Sequence, residues 1–185
     1  MSKNDRIIES LLFASPEPLT QKKLSNIFDR DVPDLKLSVE RLNSFYNKNN
    51  QSVEIINVAG GYQLRTKQEF SIFIKKLFNN NFQNSISQAA LESLSIIAYK
   101  QPVSKSSIES IRGVDCSGVI KTLLKKSLIK IKGRDDGPGR ALLYTTSKEF
   151  LISFGIDKLS DLPKLKEINE IVGENNFDKQ INAFK

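Results

Sequence analysis

Few side chains in this sequence could do covalent or metal chemistry. Its 185 residues include one cysteine, Cys116, and no histidine. Without histidine, the commonest general base and the commonest zinc ligand are both missing. Cys116 has no basic neighbour nearer in sequence than Arg112. Nothing there holds it as a thiolate, so it reads as a small residue at a helix start rather than a nucleophile. The paired carboxylates Asp135 and Asp136 fall in a polar, solvated loop, without the burial that an acid–base pair uses. That loop, Gly133 to Arg140 (GRDDGPGR), is rich in glycine. It lacks the Lys-Ser/Thr of a phosphate-binding loop and joins two strands rather than a strand and a helix. It reads as a flexible wing tip that offers Arg134 and Arg140 as bidentate donors to a partner. Tyr99, next to Lys100-Gln101-Pro102, suits the edge of a core or of a protein interface. No catalytic, metal-binding or cofactor-binding residues emerge. The expected work of the chain is binding.

The formal net charge of +7 raises the prospect of a nucleic-acid partner. The excess is mostly lysine and travels with many Ile and Asn residues, which reads as charge spread over the surface. No run of about 18 apolar residues is present, so no membrane span is expected. The N-terminal MSKNDRIIESLLFASPEP has too short an apolar stretch, interrupted by Glu9, for a signal peptide. A single cysteine fits a reducing compartment, and the expected location is cytoplasmic.

The elements that position these residues are written in a repeated plan. Ser87 is an N-cap for a helix with Leu91, Leu94, Ile97 and Ala98 on one face, and Pro102 ends it. Ser104 caps a second helix carrying Ile108 and Ile111, closed by Gly113. A third helix begins at Asp115 or Cys116, with Val119, Ile120, Leu123 and Leu124 facing inward. Leu128–Lys132 and Leu142–Thr145 read as strands flanking the loop, and Thr146-Ser147-Lys148-Glu149-Phe150 opens a closing helix.

The first half follows the same order. A helix over Asp5–Ala14 buries Ile8, Leu11 and Leu12. A second, capped by Thr20, carries Leu24, Ile27 and Phe28, and a third carries Leu35, Val39, Leu42 and Tyr46. Val53–Val58 and Tyr62–Arg65 form a hairpin about Gly60-Gly61. Thr66 and Glu69 spell a capping box for a helix that buries Phe70, Phe73, Ile74 and Leu77. Ala14, Pro18, Leu19, Thr20 and Leu24 have the same spacing as Ala98, Pro102, Val103, Ser104 and Ile108. The fold class is therefore mainly α with small β wings (α+β): two tandem winged-helix domains and a tail. The expected limits are residues 1–78 for the first domain, 79–86 for an Asn-rich linker, 87–165 for the second domain and 166–185 for a mobile tail.

Three helices and a wing invite a DNA-binding reading, in which the third helix presents its N-terminal end to bases and phosphates. Here that end is flanked by Asp29, Asp31 and Asp34 in the first domain and by Asp115 in the second. Such carboxylates oppose phosphate docking. A DNA-binding regulator is the alternative reading, and the expectation from these charges is at most a weak, non-specific DNA contact.

The long motif SQAALESLSIIAYKQPVSKSSIESIRGV, followed by GRDDGPGRALLYTTSKEFLISFGI, resembles the bacterial segregation and condensation protein B family. ESLLFASPEPLT, VAGGYQLRT and DLPKL extend the likeness over nearly the whole chain. The sequence departs from the family at Ala141, where a proline is commoner, and in carrying two acids in the wing. The resemblance implies a non-enzymatic, cofactor-free subunit of the SMC–kleisin complex, cytoplasmic and nucleoid-associated, that supports chromosome condensation and segregation. It implies a homodimer formed through the N-terminal domains. That dimer embraces the kleisin (segregation and condensation protein A) mainly through the C-terminal winged helices, and reaches the SMC ATPase through it. The residues expected to meet the partner are Tyr99, Ile108, Val119, Leu123, Arg134 and Arg140. The aromatic load of the first domain, Phe13, Phe28, Phe45, Tyr46 and Tyr62, suits the dimer interface.

Overall fold

Ser2 starts the chain's first helix two residues earlier than its apolar pattern suggests. Its hydroxyl accepts the Asp5 N–H at 3.1 Å while the Asp5 carboxylate accepts the Ser2 N–H at 3.1 Å, a reciprocal capping box. The computed structural model describes residues 1–78, 86–137 and 139–164. Residues 79–85 of the expected linker, Pro138 in the wing loop, and the expected tail 166–185 lie outside the described residues.

In the first unit α1 (Lys3–Ala14), α2 (Gln21–Ser25) and α3 (Leu35–Lys48) precede a two-stranded wing, β1 (Val53–Val58) and β2 (Gly61–Thr66). Thr20 caps α2 and Asp34 caps α3 through side-chain oxygens. The core comprises Ile8, Leu12, Leu19, Leu24, Leu35, Val39, Leu42, Tyr46 and Ile55. Helix α2 is shorter than its pattern implied, so Ile27 and Phe28 follow it rather than belong to it. The wing turns at Ala59-Gly60, both with positive φ, and its last pair is Val58 opposite Gly61. Gly61 is needed for space: a Cβ there would lie 2.8 Å from the Leu19 carbonyl oxygen. Leu19 and Tyr62 exchange backbone hydrogen bonds at 2.8 Å each, pinning the wing to the chain between α1 and α2.

The second unit repeats this arrangement with α5 (Gln88–Lys100), α6 (Lys105–Arg112), α7 (Ser117–Lys125), β4 (Ile129–Arg134) and β5 (Leu142–Thr146). Ser87 and Ser104 cap α5 and α6, and Gly113 closes α6 in the left-handed region. The counterpart of the Leu19–Tyr62 bridge is a short strand, β3 (Val103–Ser104), which pairs Val103 with Tyr144 of β5. The sheet order is therefore β3-β5-β4. Two residues are too few for a period, so β3 is not visible in the sequence pattern. The core gathers Leu94, Ile97, Ile108, Cys116, Ile120, Leu123, Leu128, Tyr144 and Phe150 around α5, α6 and α7.

Two caps differ from expectation. Thr66 is the last residue of β2, paired with Val53, and no side chain caps the 3-10 turn Gln68–Phe70 or α4 (Ser71–Leu77) behind it. In the second unit Ser147 caps α8 (Lys148–Phe154), while Thr146 is buried and donates to the Gln101 side chain through its N–H at 2.8 Å and its hydroxyl at 3.0 Å. In both places strand pairing takes the threonine before the helix can. Helix α4 also differs in burial. Phe70 and Ile74 are half-buried, but Phe73 is 68% exposed and Leu77 73% exposed. The first core is built from α1, α2, α3 and the wing, and no residue of α4 belongs to it.

The two units touch where the first wing, at its turn and β2, meets the end of α8 and the residues after it. The Ala59 N–H donates to the Ile156 carbonyl at 3.1 Å, and the Gly60 N–H to Asp157 Oδ1 at 2.7 Å. Arg65 Nη2 donates to the Ile152 carbonyl at 2.7 Å, near the C-terminus of α8, where a cation also meets the negative end of the helix dipole.

Candidate functional site

In the second unit the turn from α6 to α7 is fixed by a polar network. Lys105 Nζ lies 3.4 Å from both Glu109 Oε1 and Asp115 Oδ1. Glu109 Oε1 accepts the Cys116 N–H at 2.9 Å, and Asp115 accepts the Ser117 hydroxyl at 2.7 Å. The Ser117 hydroxyl foremost, with Lys105, holds the Asp115 carboxyl below its usual range. Arg112 spans the other side, 3.1 Å from Ser93 Oγ, 3.4 Å from Cys116 Sγ and 3.1 Å from Glu92 Oε2. Cys116 is fully buried in the second core, but contrary to expectation a basic group does stand by its thiol: Arg112 donates to Sγ, which in turn donates to the Val114 carbonyl at 3.4 Å. The start of α7 is lined by Glu109 and Asp115, and that end of the helix presents negative charge.

The residues singled out for partner binding separate into two sets. Ile108 and Leu123 are 0% exposed and sit in the second core. They are corrected to core residues, because their inward helical faces leave no atom for a partner. Tyr99 is 37% exposed, and its hydroxyl donates to the Pro163 carbonyl at 2.7 Å, so the segment after α8 lies against it. Val119 is half-buried on α7. Arg134 and Arg140 are exposed on either side of the wing tip, and Arg134 Nη1 donates to the Arg140 carbonyl at 3.1 Å. The structure thus brings the two arginines together at the wing. Sequence reasoning missed Val114, exposed in the turn before α7, and assigned Ile111 and Leu91 to apolar faces although both are exposed. The signal was their position: Ile111 and Val114 flank the helix-ending Gly113, where few neighbours can cover them.

The aromatic set of the first unit also divides. Tyr46 is buried in the core with its hydroxyl donating to Glu9 Oε1 at 2.7 Å. Burial first, and then Glu9, pushes this phenol well above its ordinary range. It is corrected to a core residue. Phe28 and Tyr62 are half-buried and pack on the same core. Phe13 on α1 and Phe45 on α3 are exposed, Phe13 by 81%. To these the structure adds Ile72, Phe73, Leu77 and Phe78 of α4 and its end, all exposed. Four of these exposed side chains, Ile72, Phe73, Leu77 and Phe78, are grouped within seven residues of one short segment, and grouped apolar surface of this kind is what interaction sites use. They also suit a second protein chain better than a small ligand.

The sequence matches a family model described as segregation and condensation complex subunit ScpB over residues 6–165. Segregation and condensation protein B of Clostridium tetani is 47% identical over 164 residues, covering 89% of this chain and 87% of that protein. The protein of the same name from Syntrophotalea carbinolica is 44% identical over 168 residues, covering 91% and 85%. Among solved structures, a dimer of the ScpB N-terminal domain complexed with an ScpA peptide shares 25% identity with this chain. It covers 39% of this chain and 84% of that one, at a TM-score of 0.35.

Proposed function

The chain belongs to the segregation and condensation complex subunit ScpB family, and on that premise we propose that it is a non-enzymatic accessory subunit of an SMC–kleisin complex that supports chromosome condensation and segregation. The observation that carries this reading is the family match itself, which spans both winged helices and the segment after α8. Two copies pair through residues 1–78, and the exposed Phe13, Phe45 and α4 side chains supply the apolar surface such pairing needs. The second winged helix, within residues 87–165, takes the kleisin. Tyr99, Val119, Arg134 and Arg140 are the side chains of the original set that remain reachable there. A helix or extended segment of the partner would lie over them, with the arginines pairing its carboxylates. The kleisin then connects the dimer to the SMC ATPase, at the nucleoid in the cytoplasm. A chain without histidine and with its single thiol in the core is suited to binding rather than turnover.

Light scattering of the full chain, alone and after co-purification with its cognate kleisin, tests the reading. The expected result is a dimer that gains the mass of one kleisin. Arg134→Glu with Arg140→Glu should weaken that complex about tenfold or more, the scale of losing one or two charge-assisted pairs. No complex at micromolar concentration would sink the proposal.

A further inference from the structure

The positive charge of the chain is concentrated, not spread. Residues 121–140 cover most of α7, all of β4 and the wing tip, and they hold seven lysines and arginines against two carboxylates. Across residues 86–120 and 141–164, the rest of the second unit, six cations meet six carboxylates. Lys121, Lys125, Lys130 and Lys132 are all exposed, and none forms an ion pair among the described residues. The same stretch of the first unit, Glu40 to Thr66, holds Arg41, Lys48 and Arg65 against Glu40 and Glu54. There Arg41 is bound to Asp5 and Arg65 to the Ile152 carbonyl. One architecture occurs twice: over this stretch its first copy nets +1 and its second +5, while the rest of the second unit is neutral. A general lysine-rich composition does not produce that asymmetry.

The fold places these lysines on consecutive, touching elements. After α7 the chain turns at Ser127, with φ 57°, and the Leu128 N–H returns to the Leu123 carbonyl at 3.0 Å, setting β4 beside the end of the helix. Lys121 and Lys125 are one helical turn apart, about 6 Å along the axis. Lys130 and Lys132 are two residues apart on β4, about 7 Å in a regular strand, and Lys132 falls at the bulge between Ile131 and Gly133. Lysine meets phosphate as a compact point charge and imposes no planar geometry on it. The usual base-reading end of the helix offers Ser117 and Gly118 beside Asp115 and Glu109, with no Arg, Asn or Gln to pair a base edge. Contacts of this kind position a protein on a duplex without reading its sequence.

We propose that the α7–β4 lysines of the second winged helix form a sequence-indifferent contact for the phosphate backbone of double-stranded DNA, separate from the wing arginines assigned to the kleisin. The test is fluorescence anisotropy of the full chain with a labelled duplex of about 30 base pairs across a salt series, where each phosphate neutralised contributes roughly −0.9 to the slope of log K against log salt. The variant Lys121→Gln/Lys125→Gln/Lys130→Gln/Lys132→Gln should lose about three units of slope and at least about tenfold in affinity at low salt. Its control, Lys3→Gln/Lys22→Gln/Lys36→Gln/Lys48→Gln, removes equal charge from exposed positions of the first unit and should keep the slope. All eight positions are on the surface, and circular dichroism checks that both variants fold. AT-rich and GC-rich duplexes should bind alike. The proposal is overturned if the duplex is not retained at low salt, or if both variants lose slope equally. A polyglutamate of matched charge that displaces the duplex at lower concentration would overturn it in favour of an acidic protein partner. A duplex preference above about tenfold would overturn its sequence-indifference.

Discussion

Asp5 brings a carboxylate into the first core, where its side chain is 3% exposed while its partner Arg41 stays half in solvent. Arg41 donates to Oδ1 at 2.7 Å and 3.1 Å, and its Nη2 also reaches the Ser38 hydroxyl at 2.9 Å, tying the start of α1 to the middle of α3. The Arg41 hydrogen bonds, opposed by burial and helped by Ser2, lower the Asp5 pKa from 3.8 to about 2. The folded value lies below the unfolded one. The stabilisation is therefore complete above about pH 4 and is lost as pH falls from there through the folded pKa of about 2. Two units would be worth roughly 2.5 kcal/mol, and solvent screening of the exposed Arg41 reduces this to about 1–2 kcal/mol. Asp5→Asn should cost that much at pH 7 in urea unfolding, and the gap to the parent should close near pH 2. A gap of the same size at both pH values would refute the pairing as its source.

At the scale of elements, the wing of the first unit depends on two adjacent glycines for different reasons. Gly60 has φ +76° and open space around its Cα, so Gly60→Ala should cost about 1–2 kcal/mol through the left-handed backbone alone. Gly61 has an ordinary backbone, but a methyl there would push on the Leu19 carbonyl, which the Leu19–Tyr62 bridge holds in place. Gly61→Ala should cost about 1–3 kcal/mol by overpacking and should speed amide exchange at Leu19 and Tyr62, whereas Gly60→Ala should leave that exchange slow. Equal exchange in the two variants would contradict this division. The glycine pair was legible in sequence as a turn, as were the serine caps of α5 and α6 and the repeated Pro–apolar–Ser/Thr spacing. These signals are local, each written within a few residues. Strand β3 was not legible because its partner Tyr144 lies far away in the chain, and Thr66 and Thr146 were lost to sheet pairing because the hairpins run one residue further than their pattern implied, to the pairs Val53–Thr66 and Ile129–Thr146. The candidate site was less legible than the fold for a related reason. An apolar residue at helical spacing looks the same whether it faces a core or a partner, and only packing sent Ile108, Leu123 and Tyr46 inward while leaving Phe73 and Leu77 outside.

For the molecule as a whole, the contacts between the two units decide whether the paired winged helices present one surface or two independent ones. The grip is small and polar: Gly60 on Asp157, Ala59 on Ile156 and Arg65 on Ile152, with Glu17 between Lys23 at 3.0 Å and Lys148 at 3.4 Å. Those two lysines hold the Glu17 carboxyl below its usual range, but it is exposed and its pairs add little to the joint. Arg65 and Asp157 carry more of it, since Asp157 places its charge on the Gly60 N–H in the turn, and Arg65 adds a charge-assisted bond at 2.7 Å to the Ile152 carbonyl, which otherwise takes the Gly155 N–H at 3.3 Å. Where a joint between units rests on such polar contacts, a few hydrogen bonds set the relative orientation of the units. Asn47→Cys on α3 and Ser110→Cys on α6 give exposed spin-label positions, one in each unit, while Cys116 stays buried. With the labelled chain diluted in excess unlabelled chain, so that a dimer carries one labelled copy, the parent should give a single narrow distance between the labels. Adding Arg65→Ala and Asp157→Ala should broaden that distribution while leaving each unit folded, because both residues lie outside the two cores. A distribution unchanged by the pair of substitutions would show that apolar contacts, and not these hydrogen bonds, hold the second winged helix and its lysines in a fixed direction relative to the first.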